Sequence, residues 1–160
     1  MNEVDICLLT QKMQVLYARF LQEMDRACLR FRITSVARDY KTQMALYVQG
    51  REDLHIVNSY RMAAGLSPLI KISENVVVTW TLNSKHVIRL DDQNPMNDYS
   101  SAFDIVLYNS KGRAHYDVKV NANNTGGADY DEAGHIGGSV GLCWGGRFRK
   151  PDRCHFQEPD

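Results

Sequence analysis

Gly145-Gly146-Arg147-Phe148-Arg149-Lys150-Pro151-Asp152-Arg153-Cys154-His155-Phe156 places an acid three residues before a histidine, directly after a glycine-rich aromatic turn. An imidazole and a carboxylate side by side can supply a hydrolytic site with a metal ligand and a proton acceptor. Such a pair needs partners from elsewhere in the chain, and two upstream stretches offer them. Val76-Val77-Val78-Thr79-Trp80-Thr81-Leu82 is rich in β-branched residues and reads as a strand closing on Ser84-Lys85-His86. Ala102-Phe103-Asp104-Ile105-Val106-Leu107 reads as a buried strand carrying one acid in an apolar run. A buried carboxylate without a partner is costly, so Asp104 calls for a cation. Two histidines and one carboxylate leave the fourth position of a tetrahedral site open, which is the ligand set of a catalytic rather than a structural zinc. The expected ligands are therefore His86, Asp104 and His155, with Asp152 as the base.

Outward from these stretches, the bulk properties narrow the class. The 160 residues, 44% of them apolar, are enough for one domain spanning 1–160 with its own core. Nineteen basic and nineteen acidic residues cancel, which argues against a phosphate-neutralising surface for nucleic acid. No apolar run approaches the ~20 residues of a transmembrane helix. The opening Met1-Asn2-Glu3-Val4-Asp5 is acidic where a secretory signal is basic, so a cytoplasmic chain is expected. Cys7, Cys28, Cys143 and Cys154 are too scattered for a disulfide framework and read as reduced thiols.

Residues 1–30 contain an N-terminal helix, from about Val4 to Cys28, because Leu9, Met13, Leu16, Phe20, Met24 and Ala27 recur at steps of three and four. Phe31 to Ser35 alternates as a strand, and Asp39 caps a helix from Tyr40 to Gly50. A short helix within Asn58 to Ser73 stops at Gly65 and Pro68. Residues 87–101 read as an inserted loop, polar from Arg89 to Tyr99, in which Asp91, Asp92 and Asp98 are rivals to Asp104. Lys111-Gly112-Arg113 is a hairpin turn into a strand from His115 to Val120. The loop Asn121 to Glu132 follows the outline of a degenerate EF-hand, with oxygen-bearing Asn121, Asn123, Thr125, Asp129 and Glu132 around Gly126. It is either a weak Ca2+ site or an ordinary polar loop. Glycines inside the helix from Asp131 to Val140 point to close packing. Cys154 is a rival ligand, but in an extended segment it faces away from His155. Asp152, an odd number of positions from His155, needs a turn around Pro151 to Arg153 to face the same way.

Four motifs in order resemble a known family: Ser84-Lys85-His86, Ser100-Ser101-Ala102-Phe103-Asp104, Trp144-Gly145-Gly146, and Asp152-Arg153-Cys154-His155-Phe156. They are similar to the zinc peptidases of peptidoglycan stem peptides, namely the D-alanyl-D-alanine carboxypeptidases and the L-alanyl-D-glutamate endopeptidases of phage endolysins. The resemblance runs from about Ile33 to His155 and takes in Thr34, Ser35, Arg38, Gln43, Leu46-Tyr47 and Gln49-Gly50-Arg51. It implies an α+β fold, a small antiparallel sheet packed with helices in a Hedgehog/DD-peptidase-like single domain. It also implies Zn2+ on His86, Asp104 and His155, Asp152 as base, and Arg38 facing a substrate carboxylate. Gln43 and Ser84 are the further substrate contacts it suggests. For Arg38 the alternative is an ion pair with Asp39 or another acid. The spacing of His86 and Asp104 is wider than in the compact family pattern, because 87–101 intervenes.

The endolysin branch is favoured by the approach from Val78 to His86 and by Trp144 to Phe148. A D-alanyl-D-alanine carboxypeptidase, a non-catalytic zinc-containing wall-binding module and a protein without metal are the alternatives. The resemblance further implies a monomer acting on bacterial peptidoglycan, made in the host cytoplasm and reaching the cell wall through a holin or other release route.

Overall fold

In the computed structural model, which describes residues 2–90, 93–94, 97–125 and 127–159, the chain folds as α+β. Helix α1 (Gln11–Arg26) begins where Thr10 accepts a hydrogen bond from Met13 N at 3.2 Å. It buries Met13, Leu16, Phe20 and Met24 along one face, as their spacing predicts. It starts later than expected from periodicity. The residues before it form a two-residue strand β1 (Asn2–Glu3) and a 3-10 turn (Ile6–Leu8), and the Asp5 carboxylate caps that turn at Cys7 N. β1 pairs with β3 (Ala37–Arg38).

The central sheet is antiparallel, in the order β2 (Phe31–Ser35), β4 (Ala102–Tyr108), β7 (His155–Gln157), β6 (Cys143–Trp144). A short β5 (Ala114–His115) joins β4 beyond the end of β7. Along β4 the side chains alternate, so Phe103, Ile105 and Leu107 enter the main core while Asp104 faces the other way. β7 repeats the pattern, with Phe156 in the core and His155 beside Asp104. One face of the sheet therefore makes the core and the opposite face is left for chemistry.

The core joins α1 to the sheet and to α4 (Asp129–Ser139). The ring of Phe20, fully buried, lies 5.5 Å from Phe31, 5.7 Å from Phe103 and 4.8 Å from Phe156, centroid to centroid. Phe20→Ala is expected to lower the unfolding free energy by about 3–5 kcal/mol, read as a lower urea midpoint at unchanged slope. Gly134 and Gly137 of α4 leave room for the rings of Trp144 and Phe156, which a Cβ would overlap at 2.2 and 2.6 Å. Close packing is thus what these helix glycines provide.

Helices α2 (Tyr40–Val48) and α3 (Leu54–Ala63) pack on each other, and Asp39 caps α2 by accepting from Thr42 N at 2.8 Å. Helix α3 begins ahead of the stretch Asn58 to Ser73 in which a short helix is expected, and it ends before Gly65, whose φ is +73°. Two expected strands differ. Among the described residues Val76 to Leu82 joins no sheet, and the strand predicted from His115 to Val120 ends at His115, beyond which no described strand pairs with it.

Within the inserted loop, Asp91, Asp92 and Pro95 lie outside the described residues. Arg89 N donates to Asn97 O at 2.8 Å, and Ser100 bridges back to Leu9.

In the Asn121 to Glu132 loop, Thr125 Oγ1 lies 2.9 Å from Asn123 Oδ1 and 2.6 Å from Glu132 Oε2, and Gly126 lies outside the described residues. Asp129 turns both carboxylate oxygens to Ala122 N, at 2.9 and 3.0 Å. Asn123 directs its amide nitrogen, not its oxygen, at Glu132 Oε2 and at Ala27 O, and Asn121 donates to Thr125 O. The groups a calcium loop points inward are engaged in holding a polar loop ahead of α4.

Candidate metal centre

Asp104 of β4 and His155 of β7 are direct cross-strand partners, and Ser35 of β2 is paired with Asp104 on its other side, after a register shift. The three side chains form a row across the sheet face away from the core. His86 enters from outside the sheet. Its Nδ1 lies 2.7 Å from Val36 O, and its carbonyl accepts from Arg38 N at 2.9 Å. The structure thus brings together His86, Asp104 and His155 from three separate stretches, with one ligand atom of each within 4.8 Å of the others.

The contacts inside this group decide what it can hold. His86 Nε2 lies 3.2 Å from Asp104 Oδ1 and 3.2 Å from His155 Nδ1, and His155 Nδ1 lies 2.9 Å from Asp104 Oδ1. A carbonyl only accepts, so the Val36 contact puts the proton of a neutral His86 on Nδ1 and leaves a lone pair on Nε2. Likewise His155 Nε2 donates to Gln157 Oε1 at 3.0 Å, leaving the lone pair on Nδ1. Two lone pairs and a carboxylate oxygen therefore face one another. A single proton can occupy only one of the three gaps, whereas one cation satisfies all three atoms. A tetrahedral zinc with bonds of ~2.0–2.1 Å holds neighbouring ligand atoms about 3.3 Å apart. The observed spacing fits that figure closely.

The electrostatics favour positive charge at the same point. Burial alone would raise Asp104, but the charge of His86 and hydrogen bonds from His155 and His86 outweigh it and hold the carboxyl well below the usual carboxylate range. Burial lowers His155, yet the hydrogen bond to Asp104 and its charge overcome that and raise it.

Arg38 secures the other carboxylate oxygen. Its Nη2 lies 3.4 Å from Asp104 Oδ2 and 3.1 Å from Ser35 Oγ, and Nη1 lies 3.4 Å from Gln43 Oε1. The expected acid partner is thus Asp104; Asp39 caps α2. Arg38 Nε has no hydrogen-bond partner among the described residues. Gln43 is fully buried, and its amide nitrogen donates to Thr79 Oγ1 at 3.2 Å and to Thr81 O at 2.5 Å. It props the cleft wall from behind. Ser84 lines the cleft and its Oγ accepts from His86 N at 3.3 Å.

The turn that Asp152 requires is present. His155 N donates to Asp152 O at 3.3 Å, Asp152 N to Gly145 O at 2.9 Å, and Trp144 Nε1 to Arg153 O at 2.9 Å. A Cβ on Gly145 would sit 2.4 Å from Asp152 O, so this turn packs against a position that only glycine fits. Asp152 lines the same cleft as the three-residue group and lies outside that group. Cys154, the rival ligand, donates its thiol to Asp152 Oδ1 at 3.0 Å and also lies outside the group. Burial, followed by the charges of Asp104 and Asp152, pushes this thiol far up, so it stays protonated. Asp98, the described rival to Asp104, is not in the group either.

The cleft has a volume of about 520 Å³. Two supporting groups went unread in the sequence, Val36 O and Gln157. The second was legible, because positions 155 and 157 share a strand face.

No protein-family model matches the chain, and no curated protein matches its sequence. Among solved structures, the Serratia marcescens L-Ala D-Glu endopeptidase ChiX superposes with a TM-score of 0.54 at 13% sequence identity. The match covers 96% of this chain and 82% of that one. The α+β fold with a small antiparallel sheet is therefore shared with that endopeptidase. Among the described residues, no helix is long and apolar enough to cross a membrane.

Proposed function

We propose that this chain is a zinc-dependent peptidase of bacterial peptidoglycan that hydrolyses the L-alanyl-D-glutamate bond of stem peptides. The observation that carries the reading is the convergence of one oxygen and two imidazole lone pairs, at 2.9–3.2 Å, on the open face of the sheet. His86, Asp104 and His155 hold the ion. When bound, zinc supplies a Lewis acid for the scissile carbonyl and makes a water molecule acidic enough to attack near neutral pH.

The remaining work falls to side chains of the cleft. Asp152 takes the proton of the attacking water and returns it to the leaving amine. The Cys154 thiol holds one oxygen of that carboxylate in place, at 3.0 Å. Arg38 fixes Asp104 and, as a residue lining the cleft, is the guanidinium that faces a substrate carboxylate. Ser84 contacts substrate at the cleft wall, and Gln43 acts through Thr79 and Thr81. The likeness in fold to an L-Ala D-Glu endopeptidase supports this bond over the D-alanyl-D-alanine bond. A monomeric endolysin, made in a host cytoplasm and released to the wall through a holin, is the setting that goes with it.

Digestion of purified sacculi with mapping of the products tests the reading. New N-terminal D-glutamate is expected; free D-alanine would move the assignment to a carboxypeptidase. Intact sacculi in the presence of zinc would leave a wall-binding module.

Metal and protons compete for the imidazoles. His155 is raised in the folded chain, so without metal its contribution to stability is full below the unfolded pKa of about 6.5 and is lost as pH rises through the folded value. Metal needs the neutral ring. The zinc-induced rise in melting temperature should therefore be small near pH 5.5 and large near pH 8, in thermal unfolding of chelated protein with and without zinc.

A further inference from the structure

Val76 to Leu82 has the composition of a strand but pairs with none. It is nevertheless held, and among the described residues the hydrogen bonds that reach it and the two residues before it from beyond the adjoining turn come from one neighbouring segment. Gln49 Nε2 donates to Glu74 O at 3.1 Å, and the Asn75 side chain accepts from Gly50 N at 2.7 Å and donates to Glu52 O at 2.9 Å. Arg51 Nη2 reaches Thr79 O at 3.0 Å, and Gln43 reaches Thr79 and Thr81. All these partners come from residues 43–52. The chain passes so close over Gly50, with φ +76°, that a Cβ there would lie 2.2 Å from Val77 N.

The other side is open. Exposure alternates: Val76, Val78 and Trp80 are about half exposed, while Val77 and Thr79 between them are partly buried. Among the described residues, the main-chain N–H and C=O groups of Val78 and Trp80 make no hydrogen bond. Exposed strand edges are ordinarily blunted by lysine, proline or a cover, and the stretch from Val76 to Leu82 contains no charge and no proline. Val78 and Trp80 line the same cleft as His86, Asp104 and His155.

We propose that Val78 to Trp80 is a receiving edge, onto which the peptide substrate is added as one extended strand through main-chain hydrogen bonds. This rests on the peptidase reading and names how the cleft takes its substrate. The occupant is an extended peptide because the edge runs along the cleft that holds the three converging ligand atoms, so a strand laid there carries its own peptide bonds to them. Recognition through the main chain leaves the substrate side chains to the cleft walls, where Trp80 meets Lys150 Nζ at 3.8 Å from the ring centroid.

The test uses the wild-type zinc-loaded protein, a synthetic stem tetrapeptide containing the L-alanyl-D-glutamate bond, and copies N-methylated at single amides. Hydrogen exchange is followed at the Val78 and Trp80 amides beside the hydrolysis rate. Slowed exchange at both, with a rise in KM of about tenfold for at least one N-methylated copy, is the expected result. Cleavage with unchanged exchange and no effect of any N-methyl group overturns the pairing and leaves the peptidase reading intact. Slowed exchange without cleavage supports the pairing and removes the peptidase reading. No slowing and no cleavage overturns both.

A second arm compares Val78→Pro with Val78→Ala. Proline removes an N–H that has no bond to lose, so the melting temperature should hold; both variants lose the valine side chain but only alanine keeps the N–H, so KM of the proline variant should exceed that of the alanine variant by about tenfold. Equal binding by the two variants contradicts the proposal.

Discussion

Asp104→Asn is expected to reduce bound zinc from one equivalent to near none, and to destabilise the chain by about 3–5 kcal/mol. Both effects follow from the position of one carboxylate. Its Oδ1 faces the two imidazole lone pairs, and its Oδ2 faces Arg38, which is 7% exposed. A neutral amide offers a dication no charge and leaves the guanidinium buried without its ion pair. Elemental analysis after dialysis gives the first number and urea unfolding the second. The double variant Asp104→Asn with Arg38→Gln should recover part of the stability and none of the metal. If the single variant keeps a full equivalent of zinc, Asp104 is not a ligand.

Asp152→Ala should separate chemistry from metal. The side chain lies outside the converging group and its loss removes no ligand, so zinc content and melting temperature are expected to stay near those of the wild type. Hydrolysis of a stem peptide should fall by about 10²–10⁴-fold, the usual range for a general base. The loss should appear in kcat with KM little changed. A variant that keeps more than a tenth of the rate would take Asp152 out of the proton transfer.

The choice of His86, Asp104 and His155 rests on residue type and on the resemblance in four motifs, and for two of the three strand periodicity agrees with it. An acid flanked by Phe103 and Ile105, and a histidine followed by Phe156, each place one polar group on the face opposite the core. Two such strands, paired in antiparallel register, bring the polar groups together without further assumption. The turn at Asp152 was not legible, because it depends on the Gly145 carbonyl and on the Trp144 indole reaching across it. Nor was the state of Val76 to Leu82. Composition records a preference for extended chain, whereas pairing depends on whether a neighbour is supplied, and here residues 43–52 hold one side by side chains instead. The Asn121 to Glu132 loop matches a calcium loop in spacing, and spacing leaves open the direction of each amide and carboxylate, which local bonds set.

The central claim is that His86, Asp104 and His155 share one divalent ion. Titrating chelator-treated protein with zinc, and in parallel its His86→Ala and His155→Ala variants, tests it most directly. One equivalent bound tightly by the wild type, with affinity lost in both variants, is the predicted result. Folded wild-type protein that takes up no zinc, or variants that bind it as tightly as the wild type, would contradict it.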